Sequence, residues 1–384
     1  MNHESAPGVY RRTVTPDGWP ALPVPTPTEL AAASALVAAT EPPTPMVRSE
    51  ALSRRFGRDV HLKLELLSPI RSFKHRGALV AVDRIARDPA VRTIVTASTG
   101  NHGQGIAYAG RRAGLAVQVY APTATASVKL AAMRALGADV RVHGSTLDEA
   151  QVAAAAAAGN GAVYVEDGEN ADLMAGAATV VAEMLDAQPA LDTIIVPVGG
   201  GNLIAGSLLA RSARAGDVAI VGVQSAAAPA ATLSWLAGRL VEAPCTTFAG
   251  GLATTRPGNL ALDVMLRSLE RLAIVTDADL DAAMAVALVA HGLQLEGAAA
   301  SPLAAMMRHA EIIGGDTIGL VVTGNWASTA EIDRTVALAE AATDAATLRS
   351  PATPFAACAA PGRDPAADGG AGASSLAHET WVHE

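Results

Sequence analysis

The sequence predicts an α/β protein built from two parallel-sheet, three-layer αβα units. Three observations carry that expectation. Short β-branched runs alternate with alanine-rich helical stretches along most of the 384 residues. Half of the residues are hydrophobic but only 3% are aromatic, so alanine, valine and leucine must fill the core, as they do where helices pack on buried strands. Loops rich in glycine, asparagine and hydroxyl groups, at 97–103, 199–202 and 323–325, each follow a strand-like run. Ligands bind at that position in open parallel sheets.

Taken in order, residues 1–27 are polar and proline-rich and are expected to form a flexible arm. A helix follows from Thr28, as N-cap, through Ala31–Ala39, and Pro42-Pro43-Thr44-Pro45 ends it. Val60–Leu64 reads as a strand and Lys74 onward as a helix. Thr93-Ile94-Val95-Thr96 reads as a buried strand, with a helix to Arg112 after its loop. Strands at 117–120, 139–142 and 163–165 alternate with helices at 127–136 and 146–158. A second series starts with a helix at 172–186 and the strand Thr193–Val198, which runs into Gly199-Gly200-Gly201-Asn202 and a helix. A strand at 218–223, helices near 228–238, 259–271 and 279–291, and a last strand at 319–322 complete it. Regular alternation of this kind implies right-handed crossovers and parallel strands. From about 346 to 384 alanine, glycine, proline and aspartate dominate, and a disordered tail is expected.

Composition excludes several classes. A net charge of -9 opposes nucleic-acid binding, which needs a basic face. The absence of an apolar run of about 18 residues opposes a membrane span. Met1–Pro16 lacks the apolar core of a signal peptide, so a cytoplasmic enzyme is expected. Two cysteines, Cys245 and Cys358, make neither a disulfide framework nor a metal motif.

The chemistry concentrates in a few motifs. Ser72-Phe73-Lys74-His75-Arg76-Gly77-Ala78 puts a lysine between an aromatic ring and a helix start. Held at a cleft floor rather than in water, a neutral amine forms a Schiff base with an aldehyde. Gly199-Gly200-Gly201-Asn202-Leu203 lets consecutive amides at a helix N-terminus face one anion; the competing reading is a plain glycine turn. No lysine and serine or threonine follow it as in a P-loop, which disfavours a nucleoside triphosphate. Ser98-Thr99-Gly100-Asn101-His102 offers hydroxyls and amides suited to a small carboxylate. Gly103-Gln104-Gly105 starts like a dinucleotide fingerprint, but Tyr108 stands where its third glycine belongs. Thr323 closes a strand with a small hydroxyl, and Glu296 precedes a helix; taken singly, each is an ordinary solvated or strand-end residue.

In this order, from about Thr44 to Ala330, the motifs resemble the fold-type II (tryptophan synthase β-like) pyridoxal-phosphate enzymes, most closely the threonine/serine dehydratases. The segments Thr44-Pro45-Met46-Val47, Gly251-Leu252-Ala253, Leu295-Glu296-Gly297-Ala298 and Thr323-Gly324-Asn325 belong to the same set. The resemblance implies pyridoxal 5'-phosphate as cofactor. Lys74 would hold it covalently and then remove the substrate Cα proton. Phe73 would pack near its ring, Asn101 would contact the ring hydroxyl, and Thr323 would sit at the ring nitrogen. Gly199, Gly200, Gly201, Asn202 and Leu203 would hold its phosphate. Ser98, Thr99 and His102, with Asn101, would bind the substrate carboxylate. It further implies a small mobile domain, residues 93–170, inserted into a large cofactor-binding domain of residues 28–92 and 171–345. Dimers or tetramers are common among such proteins. The implied reaction is elimination of water and ammonia from a β-hydroxy amino acid, threonine or serine by default.

Four positions depart from the family pattern. Asn202 replaces a fourth glycine, Arg71 stands where glycine is common, and Gly176-Ala177-Ala178-Thr179 replaces Gly-Gln-Gly-Thr. Gln224 replaces the glutamate of divalent-metal-binding relatives, so no metal is expected. Arg71 could mark an altered substrate preference. Alternatives left open are a serine racemase-like isomerase, a dehydratase for hydroxyaspartate or for the hydroxylated amino acids of ectoine breakdown, and a β-replacement synthase. A dinucleotide-dependent oxidoreductase is the reading from another class.

Overall fold

The computed structural model describes residues 8–11, 22–214 and 216–344. The expected tail and Cys358 lie outside the described residues, as does much of the expected arm. The first half of the chain runs β1 (Gly8–Arg11), α1 (Pro27–Thr40), β2 (Met46–Arg48), α2 (Glu50–Phe56), β3 (Asp59–Leu64), α3 (Lys74–Ala86), β4 (Thr93–Ala97) and α4 (Asn101–Ala113). Then come β5 (Ala116–Ala121), α5 (Ser127–Ala135), β6 (Asp139–Val142), α6 (Leu147–Ala156), β7 (Ala162–Tyr164) and α7 (Ala171–Ala187). The second half runs β8 (Thr193–Pro197), α8 (Asn202–Ala213), β9 (Ala219–Ser225), α9 (Ala230–Ala237), α10 (Asn259–Ser268) and β10 (Arg271–Val275). It ends with α11 (Asp277–His291), α12 (Gly297–Ile313), β11 (Thr317–Val322) and α13 (Thr329–Asp344).

Two sheets organise these elements. The larger has the order β1-β10-β9-β8-β11-β3-β2, the smaller β6-β5-β4-β7. The smaller is parallel throughout. The larger departs from the expected parallel arrangement at both edges, where β1 and β2 pair antiparallel with β10 and β3. Residues 49–58 between β2 and β3 are fewer than the dozen or so that a parallel crossover needs. β1 also corrects the expectation of a loose arm, because Gly8–Arg11 pairs in register with Arg271–Ile274.

Capping moves the first helix start. Thr26, not Thr28, caps α1: its hydroxyl accepts from the Glu29 amide while the Glu29 carboxylate accepts from the Thr26 amide. Residues of α1, α7, α8 and α10 bury one face of the larger sheet, and α11 and α12 the other. The smaller sheet is covered by α4 and α5 on one side and by Ala150 and Ala154 of α6 on the other.

Helix α3 lies where the two sheets meet. Its residues Ala78, Leu79, Ala81 and Val82 pack in the core beneath the smaller sheet. Its first turn is approached closely from both sides. A Cβ on Gly105 of α4 would lie 2.8 Å from the Lys74 carbonyl oxygen, and one on Gly176 of α7 would lie 2.4 Å from the Arg76 carbonyl oxygen. Only glycine permits such seating, so the position of Lys74 is set by packing from both units.

Candidate active site

The loop before Lys74 is knitted to the loop after β11. Phe73 N donates to Thr323 O (3.1 Å) and Asn325 N to Arg71 O (3.3 Å). Trp326 Nε1 donates to Ile70 O at 2.7 Å. Arg71 has a left-handed φ of +58°, which explains why glycine suits this position. Its guanidinium lies 4.7 Å from the Trp326 ring centroid and donates to Asn325 Oδ1 at 2.7 Å. It does not line the cleft described below.

The first turn of α3 rests on a buried ionic cluster. Arg76 is 1% exposed. It donates to Glu65 through Nε (2.8 Å) and Nη2 (3.0 Å), and to Glu183, Thr44 and Thr179. Lys63 donates to Glu183 and to the Thr44 carbonyl. Burial alone would raise the Glu65 carboxyl, but Arg76 and Lys63 outweigh it and hold the group ionised, below its ordinary range.

At the carboxyl end of β4, Ser98 Oγ accepts from the Gly100 and Gly103 amides, at 3.0 and 2.9 Å. The oxygen shapes the turn, leaving the hydroxyl proton to donate. Thr99 is exposed to the cleft. Thr96 Oγ1 donates to Val165 O at 2.7 Å, so at 2.9 Å it accepts from His102 Nε2. That assigns the tautomer and leaves Nδ1 bare, 3.9 Å from Asp167 Oδ1. Burial, helped by Lys74 and opposed by Asp167, lowers the His102 pKa and keeps the ring neutral. Asn101 Nδ2 donates to Glu296 Oε1 at 2.8 Å. Glu296 is buried rather than solvated, and burial pushes its carboxyl up.

The glycine run turns β8 into α8. Gly201 has a φ of +102°, and a Cβ there would meet that of Ala261 at 2.6 Å. Asn202 then opens a twelve-residue helix whose first amides face the cleft. Thr323 is buried at the end of β11, and its hydroxyl makes no hydrogen bond among the described residues.

All the predicted site residues line one cleft of about 410 Å³: Phe73, Lys74, Ser98, Thr99, Asn101 and His102, the run 199–203, and Thr323. The cleft also exposes residues that sequence reasoning missed. Asp167, in the loop after β7, receives Lys74 Nζ on both oxygens, at 2.8 and 2.6 Å. Its Oδ1 also accepts from Asn202 Nδ2 at 3.3 Å. Burial alone would raise its carboxyl, but the Lys74 ammonium, helped by the Asn202 amide, outweighs it and holds it at about 2. Lys129, Glu166 and Arg256 line the same space. Glu166-Asp167-Gly168-Glu169 follows a strand, as the recognised loops do, and that position was the available signal.

Among the described residues, no group of three or more His, Cys, Asp or Glu could hold a metal ion, and no helix is long and apolar enough to cross a membrane. Gln224 Oε1 accepts from the amide and hydroxyl of Thr232. For pyridoxal phosphate the fit is good. An amine stands on the cleft floor, a helix N-terminus supplies anion-binding amides, and Asn101 Oδ1 and Asn202 Oδ1 are buried without a partner.

Comparison with known proteins agrees. The model of the family described as pyridoxal-phosphate dependent enzyme matches residues 37–324. The chain is 34% identical over 285 residues to L-threonine ammonia-lyase of Geobacter sulfurreducens, covering 73% of this chain and 71% of the relative. It is 30% identical over 283 residues to L-threo-3-hydroxyaspartate ammonia-lyase of a Pseudomonas species, covering 73% and 89%. The crystal structure of a pyridoxal 5'-phosphate-dependent aspartate racemase superposes with a TM-score of 0.75 at 27% identity, covering 80% of this chain and 98% of that one. The matched span contains the lysine, the anion-binding turn and the strand-end threonine of the cleft, and the chain belongs to the pyridoxal-phosphate-dependent enzyme family.

Proposed function

We propose that this chain is a pyridoxal-phosphate-dependent ammonia-lyase that converts a β-hydroxy amino acid, threonine or serine by default, to a 2-oxo acid and ammonia. The observation that carries this reading is the convergence, in one cleft, of the Lys74 amine, the α8 N-terminus and the carboxylate-suited N-terminus of α4. When bound, the cofactor supplies an electron sink for negative charge developing at the substrate Cα.

The chain's own residues supply the rest. The amides of 199–203 hold a phosphate through hydrogen bonds and the helix dipole. Thr323 presents a neutral hydroxyl to a ring nitrogen, and the second amide proton of Asn101 serves a ring hydroxyl. Phe73, whose ring centroid lies 5.4 Å from Lys74 Nζ, packs beside the ring. The α4 N-terminus, its His102 backbone amide included, receives the substrate carboxylate together with the Thr99 and Ser98 hydroxyls. Lys74 Nζ takes the Cα proton once released from covalent attachment. Residues 93–170 form the unit that closes over the amino acid and excludes water, and the protein assembles as a dimer or tetramer.

Purified protein loaded with cofactor should show the visible absorption of a lysine-bound pyridoxal group, and Lys74→Ala should lose it. Serine and threonine should then release 2-oxo acid. Absence of the visible band from the wild type refutes the cofactor reading. Inversion at Cα without oxo acid transfers the assignment to a racemase.

A further inference from the structure

Lys74 does not stand free on the cleft floor. Asp167 grips its ammonium with both oxygens, and this carboxylate comes from the loop after β7, on the smaller sheet. Asn202 Nδ2 donates to the same carboxylate and helps fix its orientation. Lys129 stands elsewhere in the cleft. Its side chain lies over Gly100, where a Cβ would be 2.8 Å from Lys129 Cδ, and its ammonium lies 3.8 Å from the place a Cβ on Gly250 would take. That ammonium has no hydrogen bond or ion pair among the described residues. Arg256, the other cation lining the cleft, lies in the field of Glu166. Lys129 lies in the field of the buried Glu296 without contacting it, so the cleft is polarised, with a cation beside the carboxylate-binding loop and an anion beside the reacting nitrogen.

We propose that Asp167 selects substrate by charge, admitting amino acids whose β-substituent is an uncharged hydroxyl and excluding those with a second carboxylate. This deepens the lyase reading and rests on it, because that reading brings the substrate nitrogen to the place of Lys74 Nζ. With bonds of about 1.5 Å from nitrogen to Cα and onward, a carboxylate on Cβ falls within about 6 Å of Asp167. Two like charges at that distance, at an effective dielectric of about 20, weaken binding on the order of 100-fold. A hydroxyl can instead donate to the carboxylate. Rejection by a like charge separates close analogues where shape alone does not. Lys129 meets the single α-carboxylate, so a monocarboxylic amino acid satisfies both ends.

The test uses holoenzyme, wild type and Asp167→Asn, with Asp167→Ser as a second variant. Dissociation constants for alanine and aspartate, which carry no β-hydroxyl, are read from the cofactor's spectral change. Values of kcat/KM are measured for serine, threonine and threo-3-hydroxyaspartate. Loss of the Lys74 contact acts on both charge classes alike, so the ratio isolates the charge term. The wild type should bind alanine on the order of 100-fold more tightly than aspartate. Both variants should shrink that ratio at least tenfold, mainly through aspartate. A ratio unchanged by the substitutions, or a wild type that prefers the dicarboxylic partner, overturns the proposal. Failure of every hydroxy amino acid to yield oxo acid would sink the lyase reading, while the alanine-to-aspartate ratio still decides the role of Asp167.

Discussion

Replacing Arg76 by methionine tests how the start of α3 is held. Arg76 is 1% exposed and gives three side-chain donors to the Glu65 and Glu183 carboxylates, two of them shared with Thr44 or Thr179. Methionine fills much of the volume but leaves Glu65, itself 0% exposed, with only Lys63 at 4.0 Å and the Thr44 hydroxyl for company. Removing one partner of a buried pair typically costs about 3–5 kcal/mol, because the remaining charge is stranded. Lys63 offsets part of that here, so the lower end, about 3 kcal/mol, is expected. Adding Glu65→Gln removes the stranded charge, and the double variant should recover at least about 1 kcal/mol over Arg76→Met alone. The assay is urea unfolding of the cofactor-loaded proteins, followed by circular dichroism and by the visible band. Because Lys74 lies two residues before Arg76, loss of the band should precede loss of helix in the single variant. An Arg76→Met protein within about 1 kcal/mol of wild type, or a double variant no more stable than the single, would refute the account of a charge network that fixes the lysine.

Other outcomes follow from the same geometry. Gly201→Ala should destabilise the protein by about 1–2 kcal/mol, because alanine is strained at a left-handed φ, and should weaken cofactor binding at equilibrium dialysis. Arg71→Gly should leave kcat/KM unchanged, since Arg71 faces Asn325 and Trp326 outside the cleft. Its stability in thermal unfolding should shift by less than about 1 kcal/mol, relief of the positive φ offsetting the lost ring contact. The Asp167 carboxyl is held at about 2, below its ordinary 3.8, so its contribution to stability is present above the ordinary value and lost as pH falls through the folded one. Wild type should therefore exceed Asp167→Asn in stability by a constant amount from neutral pH down to about 5, and the two should converge in acid unfolding as pH falls toward 2.

The order of elements was legible because local pattern and tertiary fold agree over most of the chain. Thr93–Ala97 and Thr193–Pro197 are short β-branched runs between alanine-rich helices, and they could be little else. Arg271–Val275 is not among the expected strands: the expected helix at 259–271 stops at its first residue, and the four apolar residues that follow carry no period that separates strand from helix; pairing with β9 and β1 makes it a strand. Gly8–Arg11 is a strand for the same reason, its partner arriving from more than 250 residues away. Glu296 was given the solvated default of a lone glutamate, and burial against Asn101 reversed it.

By itself, then, the sequence determined which loops would end at the binding edge of the sheets and which side chains they carry. Glycine runs, strand-end hydroxyls and a lysine at a helix start are local requirements of turning a strand into an anion-binding helix, and local requirements are written in neighbouring residues. Only the tertiary structure decided the electrostatics of the reacting nitrogen. The place of Asp167 after a strand marks only another loop at the binding edge, and it becomes the partner of Lys74 because β7 ends opposite the first turn of α3. Charges interact through space, so a pair separated by 93 positions leaves no trace in either local pattern.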